Sequence, residues 1–181
     1  MSILSDHIDE VRILKNAYWT NLFKNWDKTT SETVTIIKKI PIFAKLNKKE
    51  LNEVSKLLHD RTYKPEEYVF KRHAPGEGMF IIQSGAVKII VGETSGNSQV
   101  LAELSNGDFF GEMALLEDEV RSAAAIATDH SRLLGFFRSD LQILIERKPA
   151  LGNKILRNLS KVVCTRLRKT NELLIQAQSD K

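Results

Sequence analysis

Residues 107–127 read GDFFGEMALLEDEVRSAAAIA, and these residue types make sense together when the segment faces a small anion. Gly111 lets the backbone pass close to a ligand. The run Glu112-Met113-Ala114-Leu115-Leu116 can begin a short helix there, and unpaired amides at a helix start, reinforced by the local dipole, favour a phosphate. Arg121 supplies a planar, permanently charged fork that matches two phosphate oxygens better than the point charge of a lysine. Glu112, when ionised, is a pure acceptor and suits a hydroxyl donor.

Outward from this segment, the surrounding sequence is β-rich and punctuated by glycine. Tyr68–Arg72, Met79–Gln83, Ala86–Val91, Gln99–Leu104, Ser122–Ala127 and Leu133–Phe137 are the expected strands. Gly76, Gly78, Gly85, Gly96, Gly107 and Gly111 fall between or at the ends of these runs, where turns belong. Short strands at this spacing predict a sandwich or roll that begins beyond Lys64-Pro65.

Both flanks are helical. Leu4, Ile8, Val11, Tyr18, Leu22 and Trp26 recur at helical steps between Ile3 and Trp26, and the polar run Asp27–Thr33 looks like a joint. Val34, Ile36, Ile37 and Ile40 form a short apolar segment stopped by Pro41. Asn47 and Glu50 have the spacing of a capping box, which predicts a helix from Lys48 to Leu58. On the other side, Ser139 or Asp140 suits the N-cap of a helix with Leu141, Leu144 and Ile145 inward, and Pro149 opens a last helix. Its stripe of Leu156, Leu159, Val163, Leu167, Thr170, Leu174 and Ala177 is too long for a small β core to cover. A parallel coiled-coil homodimer through this helix is the expected use of the excess, with Thr170 as a polar interruption in the seam.

With 181 residues, 42% hydrophobic and 28% charged, the chain suits one ordinary domain with helical additions and leaves no room for a second, catalytic one. No stretch reaches the roughly 18 apolar residues of a membrane span. Asp6, Asp9 and Glu10 near the start do not fit a signal peptide, and the single Cys164 agrees with a reducing compartment, so the expected location is the cytoplasm. His7, His59, His73 and His130 are dispersed without ligand spacing, so no metal is expected. No nucleophile with a neighbouring base stands out, and an enzyme is not expected. Between Arg147 and Lys169 there are eight basic residues and no acidic one. A solvated helix face is the preferred reading, and a patch for an acidic partner or nucleic acid is the other.

The 107–127 segment resembles the phosphate-binding cassette of cyclic nucleotide-binding domains, as found in protein kinase regulatory subunits, the bacterial catabolite activator and cyclic-nucleotide-gated channels. The nine-residue step from Glu112 to Arg121 and the small residues Ser122-Ala123-Ala124 carry the resemblance, together with Ile40-Pro41-Ile42-Phe43, Leu46–Leu51, Gly76, Gly85 and Gly107-Asp108-Phe109. Val120 stands where many members have proline; valine also favours extended backbone.

The resemblance implies a mainly β fold with flanking helices, a jelly-roll-like β-roll (double-stranded β-helix). It divides the chain into an N-terminal helical extension (1–39), the β-roll with its leading and exit helices (40–148) and a C-terminal helix for dimerisation or closure (149–181). It implies that Gly111, Glu112, Met113, Ala114, Arg121 and Ser122 surround the sugar phosphate, Glu112 on the ribose and Arg121 on the cyclic phosphate, with Ile89, Leu101 and Leu104 beside the base. It offers Thr170 and Asn171 for contact with adenine, and coiled-coil register remains the equal alternative for Thr170.

Ser122 after Arg121 does not separate adenine from guanine; cyclic AMP is the preferred ligand, cyclic GMP the second. The expected function is a non-catalytic sensor whose last helix passes ligand occupancy to a downstream protein partner. A β-roll interaction module with a degenerate or differently liganded pocket is the alternative. The sequence continues for only about ten residues past Asn171 without a helix-turn-helix, so DNA binding is not expected.

Overall fold

The computed structural model describes residues 32–92 and 99–179. The helix expected over Ile3–Trp26, most of the joint after it and the turn at Gly96 lie outside them. Among the described residues eight strands form two four-stranded antiparallel sheets. These are β1 (His59–Tyr63), β2 (Tyr68–Phe70), β3 (Gly78–Ser84), β4 (Val87–Val91), β5 (Gln99–Leu104), β6 (Phe109–Phe110), β7 (Ala124–Ala127) and β8 (Ser131–Phe137). One sheet runs β1-β8-β3-β6 and the other β2-β7-β4-β5, so the chain passes repeatedly between the two layers. This is the expected β-roll.

Side-chain alternation explains how one strand serves two cores. On β3, Phe80 and Ile82 point between the sheets, where they meet Val87, Phe110, Ala125 and Leu133. Met79 and Ile81 point the opposite way, into a cluster with Ile37, Ile42, Phe43, Leu51, Leu141, Ile155 and Leu159 from the helical side. A strand buried on both faces reads as a continuous apolar run, as MFII does. Each such side chain contributes about 1.5–3 kcal/mol when fully buried.

Helical segments cover the second cluster: residues 32–37, α1 (Lys48–Ser55), α2 (Arg138–Arg147) and α3 (Pro149–Ser179). Short helical turns at Pro41–Phe43 and Glu112–Leu115 complete the architecture. The capping box is present, with Glu50 N–H donating to Asn47 Oδ1 at 3.0 Å and Asn47 N–H to Glu50 Oε2 at 2.8 Å. Asn158 on α3 donates to the Ile42 and Ala44 carbonyls at 3.1 and 2.8 Å, which fixes α3 against the first turn.

Several element bounds need correction, among them the strand expected from Ser122, which begins at Ala124. The helix expected from Lys48 stops at Ser55 instead of Leu58, because the chain then enters β1, an edge strand of sequence HDRTY paired with β8. That strand is polar and lacks alternation, so the sheet begins before Pro65. The strand expected over Tyr68–Arg72 ends at Phe70, since the chain turns at His73 with φ 64°. The helix after β8 begins at Arg138; Asp140 lies inside its first turn and accepts from Phe137 N–H at 3.1 Å. The pair Phe109–Phe110 forms a strand too short to read from sequence.

Candidate ligand-binding site

The two-sheet layout leaves a cavity of about 430 Å³ walled by β2, β4, β5 and the 107–123 segment, with α3 across one side. That is the size of a small-molecule site. Gly111 takes φ +76°, and the single turn Glu112–Leu115 follows it. The positive φ favours glycine, and a Cβ at Gly111 would lie 2.7 Å from Arg121 Nη1, so a side chain there would also push the guanidinium aside.

Arg121 is only 8% exposed. Its Nη2 donates to Gly78 O at 2.6 Å and its Nη1 to Gly111 O at 3.2 Å, and the guanidinium lies 4.0 Å over the Phe70 ring. The partners are neutral, and Nε is buried with no hydrogen-bond partner among the described residues. Burial holds the guanidinium below its usual pKa, opposed by the charges of Glu77 and Glu112. A buried cation with a free donor is costly unless an anion completes it, and a phosphate diester suits that donor set. The backbone that carries it is tied down: Arg121 N–H donates to Ala74 O at 2.8 Å and Val120 bridges Pro75 in extended geometry. Valine therefore serves here in the place of proline.

Glu112 is 4% exposed and faces the same cavity. Its Oε1 accepts from Arg166 Nη1 at 2.6 Å. Arg166 also donates to Phe109 O at 3.1 Å and lies 4.8 Å from the centre of the Phe109 ring. A residue of α3 thus closes on the carboxylate opposite Arg121.

The structure brings Gly111, Glu112, Met113, Ala114, Arg121, Ser122, Ile89 and Leu104 together around this cavity. Leu101, Thr170 and Asn171 are not among its lining. Leu101 sits where the β4–β5 register slips, since Ile89 pairs with Ala102 and Ile90 with Val100, and it is 54% exposed. Ala102 takes the inward place. Thr170 is exposed, its hydroxyl donating to Arg166 O at 3.0 Å, and Asn171 is exposed beside it.

Sequence reasoning missed Arg166, Lys169, Ala102, Phe70 and Phe110 as lining residues. A signal for Arg166 existed, because Glu112 in a closed site requires a cation and the run 147–169 supplies only cations. Lys148 and Lys154 of that run are paired with Glu53 and Glu50. Among the described residues no group of three or more His, Cys, Asp or Glu side chains is placed to hold a metal. No described helix is long and apolar enough to cross a membrane.

The family model described as "Cyclic nucleotide-binding domain" matches residues 60–148. The cyclic AMP receptor protein of Thermus thermophilus is 31% identical over 131 residues, 72% of this chain and 59% of that protein. A cGMP-dependent protein kinase of Caenorhabditis briggsae is 35% identical over 100 residues, 54% of this chain and 13% of the kinase. The crystal structure of the Thermus thermophilus catabolite activator protein superposes with a TM-score of 0.68 at 30% identity, covering 76% of this chain and 63% of that one. The chain therefore spans less than two thirds of each of these three proteins.

Proposed function

Residues 60–148 of this chain belong to the cyclic nucleotide-binding domain family, and from that premise we propose that the chain is a non-catalytic, cytoplasmic sensor of cyclic AMP. The observation that carries the reading is Arg121, a buried guanidinium held on neutral carbonyls with Nε unpaired beside a cavity of mononucleotide size. The cyclic phosphate completes Arg121, a ribose hydroxyl donates to Glu112, and the base lies along Ile89, Ala102 and Leu104. The preference for adenine rests on the resemblance and on the Thermus relative's name. Cyclic GMP is favoured by one observation: Arg166 and Lys169, which line the cavity, carry only donors, and guanine offers two adjacent acceptors in O6 and N7.

Ligand occupancy is proposed to reach a downstream protein through α3, which can respond only as far as the ligand contacts one arrangement better than another. Cyclic AMP at one hundred times its Kd is expected to stabilise the fold by about 2.7 kcal/mol and to raise the melting temperature accordingly. A larger shift with cyclic GMP would reassign the base. No shift with either nucleotide at millimolar concentration would leave the alternative, an interaction module with a degenerate pocket.

The homodimer is part of the same proposal. Leu167, Thr170 and Leu174 follow a three-four spacing on the exposed part of α3, as a coiled-coil seam requires. Sedimentation is expected to give a dimer, and Leu174→Asp a monomer. A wild-type chain that sediments as a monomer at tens of micromolar contradicts the seam.

A further inference from the structure

Arg138, the first residue of α2, reaches the ligand-gripping loop from outside the cavity. Its Nη1 donates to Glu117 O at 2.6 Å, its Nη2 donates to Gly76 O at 2.7 Å, and the same Nη2 lies 2.8 Å from Asp118 Oδ1. Its backbone N–H donates to Glu77 O at 2.8 Å. Gly76 N–H in turn donates to Glu119 O at 3.0 Å, two residues before Arg121. One guanidinium thus gathers both chain segments that set the position of Arg121, although Arg138 does not itself line the cavity.

The other end of α2 is fixed just as closely. Gly152 of α3 lies against Ile145 of α2, where an added Cβ would come within 2.8 Å of the Ile145 Cα. Interfaces packed this tightly move as units, because a close-packed contact has little slack to absorb displacement. A continuous set of contacts runs from the loop 117–121 through Arg138 and α2 to α3.

We propose that Arg138 is a positioning residue that joins the Glu117–Arg121 loop to the α2–α3 pair, so that filling the cavity sets the position of α3. The proposal rests on the ligand reading above and goes beyond it by naming the joint. The planar fork meets two carbonyls and a carboxylate at once. A lysine retains the charge and most of the stem but loses that geometry.

Cys164 is the chain's single cysteine and lies exposed on α3, so an environment-sensitive fluorophore attached there reports the helix. In the full chain, saturating cyclic AMP is expected to change the emission of the labelled wild type. Labelled Arg138→Lys is expected to bind cyclic AMP within about fivefold of wild type by calorimetry, yet to lose more than half of the emission change. Arg138→Ala is expected to lose more, and if it does not fold, Arg138→Lys carries the test. Full emission change in Arg138→Lys overturns the proposal, as does a wild type that binds by calorimetry without any emission change. Calorimetric silence of the wild type with both cyclic AMP and cyclic GMP refutes the ligand reading itself, a result distinct from the other two, and this inference falls with it.

Discussion

Arg121→Ala is expected to weaken cyclic nucleotide binding by about 2–5 kcal/mol, roughly 30- to 4,000-fold in Kd, as measured by calorimetric titration. The size of the effect follows from where the guanidinium sits. It is 8% exposed and spends its hydrogen bonds on Gly78 O and Gly111 O, with Nε left over. A ligand anion entering that site gives up water and needs a full charge in return; alanine offers none. The fold should survive, because the substitution also removes a buried charge and leaves only two carbonyls to be reached by water. Arg121→Lys is expected to recover only part of the loss, since one ammonium does not replace a two-pronged donor. An Arg121→Ala protein that binds within threefold of wild type places the ligand somewhere else.

Glu112→Gln is expected to cost about 1.5–3 kcal/mol, roughly 10- to 150-fold in Kd, the range for a hydrogen bond to a charged group. That substitution also weakens the hold on Arg166, whose Nη1 sits 2.6 Å from the Glu112 carboxylate, so the loss alone does not isolate the ribose contact. A 2′-deoxy cyclic nucleotide does isolate it. In the wild type the missing hydroxyl should cost a comparable amount, and in Glu112→Gln it should cost little more, the non-additivity of two groups that touch. Fully additive losses in the two backgrounds would remove Glu112 from the ribose.

Much of this site was readable in the sequence because its determinants are local. Glu112 and Arg121 lie nine residues apart on one segment, and the glycine before them takes the φ of +76° that its residue type suggests. The β-roll was legible through short β-rich runs set off by glycine, such as Met79–Gln83, which falls on β3. What escaped depended on pairing across the chain. β1 is polar and exists through its ladder with β8, whose paired residues lie 68 to 76 positions further along the chain. The resemblance puts Leu101 on the wall beside the base, but one extra residue in the β4–β5 ladder gives the inward place to Ala102. Arg166 and Lys169 line the cavity, with Thr170 and Asn171 outside it, because of where α3 is seated on the roll. Asn158 and the Gly152–Ile145 contact hold that seat, and no helical periodicity encodes it.

The most direct measurement is a crystal structure of the chain grown with cyclic AMP. The account predicts the exocyclic phosphate oxygens within hydrogen-bond distance of the Arg121 guanidinium, its Nε included, and the ribose hydroxyl on Glu112. Nucleotide bound elsewhere, with the Arg121 guanidinium still confined to the carbonyls of Gly78 and Gly111, would contradict it.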